Sequence, residues 1–279
     1  AEWNYQFTPK ANLTFIYNYQ ENKRKEYDSH NYFNKTAPSM DIKLITQQMD
    51  AVLTWHNGKG LLLKTGVSGS IQNNTYVGRY FIPNYHKTDI MQYTIARYKK
   101  GRSELELGYR FGEIAMQVYK WEQNSIKQYN FKYHGVSWQA GWLYKINTDW
   151  QTVLQVGKAW RNPNISELFS GGLHHGAAAI EYGDIDLKPE ESLSGNWILK
   201  HQHNKTLFEL ELFVKHINNY IYLNPKLPAE LTIRGAFPAF EYAHTNALFK
   251  GLDLYLSRLI TNSLTFSEKM SLLQANDLK

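Results

Sequence analysis

The 279-residue sequence contains no cysteine, which excludes disulfide frameworks, thiol catalysis and zinc sites built from cysteine. It contains no apolar run near the roughly 18 residues that a membrane-spanning helix needs, so a helical membrane protein is excluded. Charged residues make up only 20% of the chain and hydrophobic residues 43%, and this balance excludes a disordered protein.

Common catalytic motifs are also missing. We find no Gly-x-Ser-x-Gly elbow, no His-Glu-x-x-His pair, no P-loop and no Gly-x-Gly-x-x-Gly turn. The net charge of +6 is spread along the chain and forms no basic block, so the charge permits a nucleic-acid partner without indicating one. We therefore expect no enzyme, no resident cofactor and no nucleic-acid partner.

Aromatic residues are abundant, at 15%, and much of the chain alternates with period two. In residues 104–111 the odd positions are apolar and the even positions are polar or small. Residues 207–217 repeat this alternation with Phe213 as the exception, and residues 252–257 repeat it again. Such a strand has one apolar face and one wet face, so the pattern predicts an all-β protein.

Short and long connections take turns between the predicted strands. The short connections, most of which contain the Asn, Gly or Asp of hairpin turns, lie at about residues 9–11, 57–60, 99–102, 146–149, 203–206 and 260–263. The long connections lie at about residues 22–44, 73–87, 119–128, 161–191 and 222–244. This rhythm predicts an antiparallel meander of about 12 strands, and transmembrane β-barrels show the same asymmetry of short periplasmic turns and long extracellular loops.

Several aromatic residues fall near the predicted strand ends, among them Trp55, Tyr98 and Trp142. In a membrane barrel these rings would lie at the level of the lipid headgroups. In a soluble sandwich or propeller, whose strands also alternate, they would fill the core. No motif repeats every 40–50 residues, which disfavours the propeller. Periodicity alone leaves both the membrane barrel and a soluble all-β protein open.

One stretch of the sequence resembles TonB-dependent outer-membrane receptors. In that family a strand ends in Arg-x-Pro, Glu-Leu-Phe or Glu-Leu-Tyr follows, and a glycine-rich loop leads to Gly-(Asn/Asp)-x-x-Leu-Lys-Pro-Glu. The matching residues here are Arg161, Pro163, Glu167, Gly183, Leu187, Pro189 and Glu190. Asn162 departs from the alanine of many members, and residues 246–253 are similar to a later strand opening of the family.

The resemblance implies a barrel of 22 strands plugged by an N-terminal globular domain. On this interpretation residues 1–279 are a partial barrel domain of about 12 strands, and the plug and the C-terminal strands are not in this chain. The implied location is the bacterial outer membrane, with outer-membrane lipid around the barrel. The implied partners are the TonB complex, through the plug, and an imported solute, first of all a ferric siderophore. Haem, zinc, cobalamin or a glycan are alternatives.

The same stretch contains the candidate site residues. Pro163 has no backbone donor and fixes φ, so the preceding strand should end before it. Imidazole binds iron and zinc, which makes His174 and His175 the metal or haem candidates, although a hydrogen-bonding role in the loop is the simpler explanation. Arg161 is expected to brace a loop or the plug. The candidate ligand-binding residues are His174, His175, Arg161, Tyr80, Tyr85, Trp121, Arg234 and Tyr242.

Two other function classes remain as alternatives. A soluble β-rich carbohydrate-binding protein or hydrolase would stay monodisperse without detergent, and a glycosidase carboxylate pair has no sequence spacing by which to exclude it. A passive porin-like channel would have no plug and would pass solutes without TonB. The facing of one strand separates these alternatives, because a membrane barrel requires Leu210 and Leu212 to contact lipid and Glu209 and Glu211 to contact water.

Overall fold

The structure, a computed structural model, describes residues 1–27, 37–174, 177–233 and 235–278. These residues form fourteen strands and one short helix. The strands before the helix are β1 (Glu2–Thr8), β2 (Ala11–Glu26), β3 (Met40–His56), β4 (Leu61–Gly78), β5 (Asn84–Lys100), β6 (Ser103–Glu122), β7 (Ser125–Lys145) and β8 (Trp150–Arg161). The helix α1 (Ile165–Phe169) is followed by β9 (Gly171–His174), β10 (Ala179–Tyr182), β11 (Glu190–His203), β12 (Thr206–Thr232), β13 (Gly235–Thr261) and β14 (Leu264–Asp277).

Twelve of these strands form one antiparallel meander, as the hairpin rhythm predicted, and β9 and β10 are short additions to it. The sheet order runs from β1 to β8, continues with β11, β12 and β13, and β14 pairs with β13. Within the described residues β1 pairs only with β2 and β14 only with β13, so the sheet is open. The fourteen strands are fewer than the 22 of the complete barrel that the resemblance implies. None of the described segments forms a helix long and apolar enough to cross a membrane.

All six predicted hairpin turns lie at one end of the sheet, which we call the short-turn end. We call the opposite end the loop end. The connections predicted at residues 73–87, 119–128 and 222–244 are much shorter in the structure, and most of their residues belong to strands. Only residues 79–83 join β4 to β5, residues 123–124 join β6 to β7, and residues 233–234 join β12 to β13. The sequence did not predict these strands because polar residues occur on both of their faces. A hairpin that is surrounded by water can be polar on both faces. Part of the first predicted connection, residues 28–36, lies outside the described residues.

The two faces of the sheet differ most clearly near the short-turn end. We call the face on which α1 packs the inner face and the opposite one the outer face. One row of paired outer-face residues crosses seven strands, and its members are Leu105, Trp142, Leu154, Trp197, Leu212, Leu252 and Leu272. We call the surface that such rows form the outer apolar band. Its side chains are accessible, and Leu107, for example, is 62% exposed. Leu212 therefore lies on the opposite face from Glu211, as the alternation predicted, and its contact with lipid stays a prediction.

The inner face opposite this band carries ion pairs and hydrogen bonds between polar side chains. Arg97 pairs in register with Glu106, and its Nη2 lies 2.6 Å from the Glu106 carboxylate. Further across the sheet, Asn196 donates a hydrogen bond of 2.6 Å to Glu211. Phe213, the exception in the alternation of β12, is paired with Gly251 and its ring occupies the space that a Cβ there would need. The inner aromatic ring thus covers a glycine and does not interrupt the polar face.

Candidate functional site

The connection between β8 and β11 folds over the inner face at the loop end. Its short strand β10 pairs in parallel with β13, with Ile180 opposite Ala239 and Tyr182 opposite Glu241. Because β8 itself pairs with β11, the connection passes β11 and β12 before it reaches β13. We call residues 162–189 the inner segment. It brings the family-like motif residues together on one side of the sheet.

Arg161 holds both ends of the inner segment. Its Nε lies 2.7 Å from Glu190 and its Nη1 2.9 Å from Glu167, and the same carboxylate oxygen of Glu167 accepts the backbone N–H of Asn164 at 2.7 Å. Asn164 is the N-cap of α1, so Glu167 serves the helix start and the arginine together. Burial alone would lower the pKa of Arg161, but the hydrogen bonds to Glu167 and Glu190 outweigh it and raise that pKa.

Glu190 also fixes the neighbouring strand. Its other carboxylate oxygen accepts the backbone N–H of Ile221 at 2.6 Å, next to the bulge where β12 shifts register against β13. The carbonyl of Pro189 accepts a hydrogen bond of 3.1 Å from Asn219, which has a φ of 54°. Pro189 and Glu190 thereby attach the end of the inner segment to β12.

Gly183 and Leu187 pack the inner segment against itself. The N–H of Gly183 donates to the carbonyl of Ser170 at 2.8 Å, and a Cβ at Gly183 would collide with the backbone of Leu168 and Phe169. Leu187 is 4% exposed, and Pro163 is fully buried at the start of the segment, after β8 ends at Arg161. Only glycine at position 183 allows this approach of backbone to backbone.

An apolar cluster attaches α1 to the inner face. Leu168 and Phe169 are 1% and 2% exposed and lie in one core with Met116 and Val118 of β6, which are 1% and 0% exposed. The ring of Phe131 on β7 makes an edge contact with Phe169 at 5.9 Å between centroids. Met116 and Val118 were not among the predicted site residues. The sequence does indicate that Met116 and Val118 face the opposite side of the sheet from Leu105 and Leu107. The apolar positions of β6 change from odd numbers before Gly112 to even numbers after it.

The predicted tyrosines lie close to this cluster. The hydroxyl of Tyr80 donates to the carbonyl of Phe169 at 2.7 Å, and that of Tyr85 donates to Gln72 at 2.9 Å. Burial raises the pKa of Tyr80, and it raises the pKa of Tyr85 to about 12. Tyr242 packs against the same core, and burial raises its pKa as well. The hydroxyls of Tyr80 and Tyr85 therefore stay protonated and donate hydrogen bonds within the protein.

Trp121 has a different setting at the tip of the β6–β7 hairpin, where it is 61% exposed. Beside it Lys120 forms an ion pair of 2.7 Å with Glu122, and its ammonium lies 6.0 Å from the ring centres of Tyr80 and Phe169. The hairpin thus carries a cation over partly and fully buried rings on its inner face and an exposed indole on its opposite face.

His174 lies on β9 with its Nδ1 2.8 Å from Glu181, and its ring centre lies 4.7 Å from that of Phe81. Glu181 is buried, whereas the imidazole is 31% exposed. Predicted residues His175 and Arg234 lie outside the described residues. In the part of the chain that the structure describes, no group of three or more His, Asp or Glu side chains converges as a metal site requires.

Comparisons with known proteins agree with this architecture. The family model described as "TonB dependent receptor-like, beta-barrel" matches residues 1–277. No match is found among curated proteins.

Three solved structures have similar folds. The copper transporter OprC has a TM-score of 0.72 and 14% sequence identity, over 96% of this chain and 43% of that chain. The siderophore receptor PirA from Pseudomonas aeruginosa has a TM-score of 0.61 and 9% identity, over 98% of this chain and 55% of that chain. The hemophore receptor HasR of Serratia marcescens, solved with its hemophore HasA and heme, has a TM-score of 0.63 and 14% identity, over 93% and 45%. These are transporters and receptors, and the chain spans about half of each or less.

Proposed function

We propose that the protein, which belongs to the family of TonB-dependent receptor β-barrels, is part of an outer-membrane receptor that imports a scarce solute into a Gram-negative bacterium. In this proposal the short-turn end faces the periplasm and the loop end faces the medium. Energy reaches a plug inside the barrel through TonB, and the solute is a ferric siderophore.

The observation that carries the membrane placement is the row of outer-face residues from Leu105 to Leu272. A soluble protein of this size does not expose a contiguous apolar surface across seven strands, because such a patch would associate in water. A bilayer requires this surface, and it requires every backbone polar group at that depth to be paired within the sheet. The polar inner face, with Arg97 and Glu106, supports a wet passage on the other side.

The arrangement at the loop end supports an anionic, aromatic solute. At the loop end Lys120 offers a cation on the inner face of the β6–β7 hairpin, and the exposed Trp121 offers a stacking surface on the opposite face of the same hairpin tip. The inner segment below them is attached at both ends by Arg161 and Glu190, so it can support a bound solute without unfolding. An iron chelate with catechol or phenolate groups combines the negative charge and the aromatic rings that these side chains would contact.

The test uses the complete receptor in a strain that depends on an external iron source. We expect growth on ferric siderophores that requires both this receptor and TonB, and we expect the purified receptor to bind the chelate. Trp121→Ala should weaken chelate binding by about two- to fivefold, because it removes one exposed aromatic surface on which a ring of the chelate would stack. Trp138→Ala, which changes an indole of the outer apolar band, is the matched control and should leave binding unchanged. Uptake that does not need TonB would contradict the proposal.

Haem is a second candidate because of His174. Its Nδ1 lies 2.8 Å from the buried Glu181, and its Nε2 has no hydrogen-bond partner among the described residues. A carboxylate that orients an imidazole in this way is typical of histidines that bind metals. If haem is the solute, His174→Ala should abolish growth on haem as the iron source and leave siderophore binding intact. If the His174→Ala receptor still supports growth on haem, His174 is excluded as an iron ligand.

A further inference from the structure

Two hairpins of the sheet each place a lysine over an aromatic ring of the inner segment. Lys120, on the β6–β7 hairpin, has its ammonium 6.0 Å from the ring centre of Phe169. Lys226, on the β12–β13 hairpin, has its ammonium 4.5 Å from the ring centre of Tyr182. Phe169 ends α1 and Tyr182 ends β10, so the two rings belong to different parts of the inner segment. Lys120 is already part of the proposed solute contact, whereas Lys226 and Tyr182 have no role in it.

The ion pair of Lys226 is looser than that of Lys120. The Lys120 ammonium lies 2.7 Å from Glu122, but the Lys226 ammonium lies 3.9 Å from Glu230, which is too far for a hydrogen bond. Tyr182 holds Glu230, because its hydroxyl donates to the other carboxylate oxygen at 2.6 Å. This hydrogen bond raises the pKa of Tyr182, so the phenol stays protonated and Glu230 stays engaged. Within the described residues the Lys226 ammonium therefore keeps its N–H donors for another acceptor.

The surroundings of Lys226 are accessible. Its side chain is 47% exposed, and Leu227, Leu231 and Ile233 of the same hairpin are all at least 87% exposed. A group of apolar side chains that is this exposed is typical of a binding surface. An ammonium over a ring, with exposed apolar side chains close to it in the chain, fits a solute that has both negative charge and aromatic rings.

We propose that Lys226 and Tyr182 form a second contact for the imported solute, on the β12–β13 side of the inner segment, and that they select a solute with negative charge. The inference rests on the proposed function and deepens it, because it adds a charge requirement from a hairpin that the first contact does not use. An anionic oxygen of the solute would accept a hydrogen bond from the Lys226 ammonium, and hydrogen bonds between charged groups are the stronger ones. Glu230 opposes the same solute through its own negative charge, so Lys226 and Glu230 set the affinity together.

The experiment measures the affinity of the complete receptor for two iron(III) complexes, an anionic tris-catecholate and a neutral trihydroxamate. Lys226→Gln should weaken binding of the anionic complex by about five- to tenfold, because it removes one charged hydrogen-bond donor from a partly exposed site. The affinity for the neutral complex should change by less than about twofold, since that complex has no net charge to attract. Lys43→Gln is the matched control, because Lys43 lies 3.6 Å from Glu21 with a side chain that is 42% exposed, and it should leave both affinities within about twofold of the wild type.

Two further variants separate the charge of this contact from its structure. Glu230→Gln keeps an oxygen that accepts the hydrogen bond of Tyr182 but removes the negative charge, so it should strengthen binding of the anionic complex by about two- to fivefold. Lys226→Arg keeps the positive charge and should bind the anionic complex within about threefold of the wild type. If the Lys226–Glu230 pair served only the structure of the hairpin, Glu230→Gln would weaken binding as Lys226→Gln does.

Three results would overturn the inference. Lys226→Gln could bind the anionic complex as tightly as the wild type, it could lose affinity for both complexes equally, or the Lys43→Gln control could lose as much affinity. In each of these cases the wild type still binds the anionic complex, so the proposed function stands. A wild type that binds neither complex contradicts the siderophore proposal itself, and this inference fails with it.

Discussion

β6 (Ser103–Glu122) divides near Gly112 into two halves that use opposite faces. In the half near the short-turn end, the apolar side chains point to the outer face, and Leu107 is 62% exposed. In the half near the loop end, they point to the inner face, and Val118 is fully buried against the inner segment. The backbone pairing with β7 continues without a register shift through both halves. The difference therefore lies in what surrounds each half and not in the strand itself.

The apolar side chains of β6 change faces where the surroundings of the strand change. Where the apolar side chains face outward, no other part of the described protein covers them, which fits lipid. Where they face inward, α1 covers them and the outer positions, such as Ala115 and Gln117, are exposed and small or polar. The position of the switch gives the upper limit of the outer apolar band along β6.

The largest expected effect is the loss of a ring from the inner core at the loop end. Phe169→Ala removes a side chain that is 2% exposed and should cost about 3–5 kcal/mol in the free energy of unfolding of that region. Phe111→Ala, at a position 40% exposed on the outer face, is the matched control and should cost less than half as much. Urea unfolding of the receptor, followed by hydrogen exchange of residues 162–189, measures both; equal costs would remove the distinction between the two halves.

A charge on the outer face should also distinguish the halves. Leu107→Arg places a cation in the outer apolar band and should cost about 2–4 kcal/mol of folding free energy in a bilayer. Ala115→Arg, on the same face of the same strand but beyond Gly112, should cost almost nothing. Folding into phospholipid vesicles over a urea series measures both variants. If Ala115→Arg were as costly as Leu107→Arg, the apolar band would extend beyond the switch.

The brace of the inner segment should matter more than an ion pair on the wet inner face. Arg161→Gln leaves the largely buried carboxylates of Glu167 and Glu190 without their cation and should lower the local stability by about 1–3 kcal/mol. Arg97→Gln, which removes a more exposed partner of Glu106, should cost less than about 1 kcal/mol. Hydrogen exchange of the amides in residues 164–187 reports the first change. Unchanged exchange in Arg161→Gln would argue against the brace.

The smallest expected effect is a pH dependence at the tip of the β6–β7 hairpin. The hydrogen bond with Lys120, and then that with Tyr129, lowers the pKa of Glu122 to about 2 from the ordinary 4.5. Because the folded-state pKa is lowered, this stabilisation is complete above about pH 4.5 and is lost as the pH falls towards 2. Hydrogen exchange of this turn, relative to the turn at residues 204–205, should rise in that window. Glu122→Gln should remove the pH dependence, and a dependence that persists would point to another group.

Some of the fold could be predicted because its causes are local. The alternation of residues 104–111 and the Asn, Gly and Asp of the turns identify strands and hairpins, and the short-turn end has the predicted turns. The motif around Arg161 and Glu190 was recognised by resemblance, and the structure brings its residues together. Strands beyond the apolar band were missed at residues 73–87, 119–128 and 222–244, because alternation disappears where both faces contact water while backbone pairing continues.

The sequence by itself determined the all-β class, the order of the hairpins and the facing of Leu212, because a side chain's face in a strand depends only on its position parity and on the pairing of its neighbours. Only the tertiary structure decided that the inner segment crosses to β13, that Phe169 meets Val118, and that Phe213 covers Gly251. These contacts join residues about 40 to 60 positions apart, and they form because a particular surface is left unfilled when the sheet curves. No local pattern records the shape of that surface.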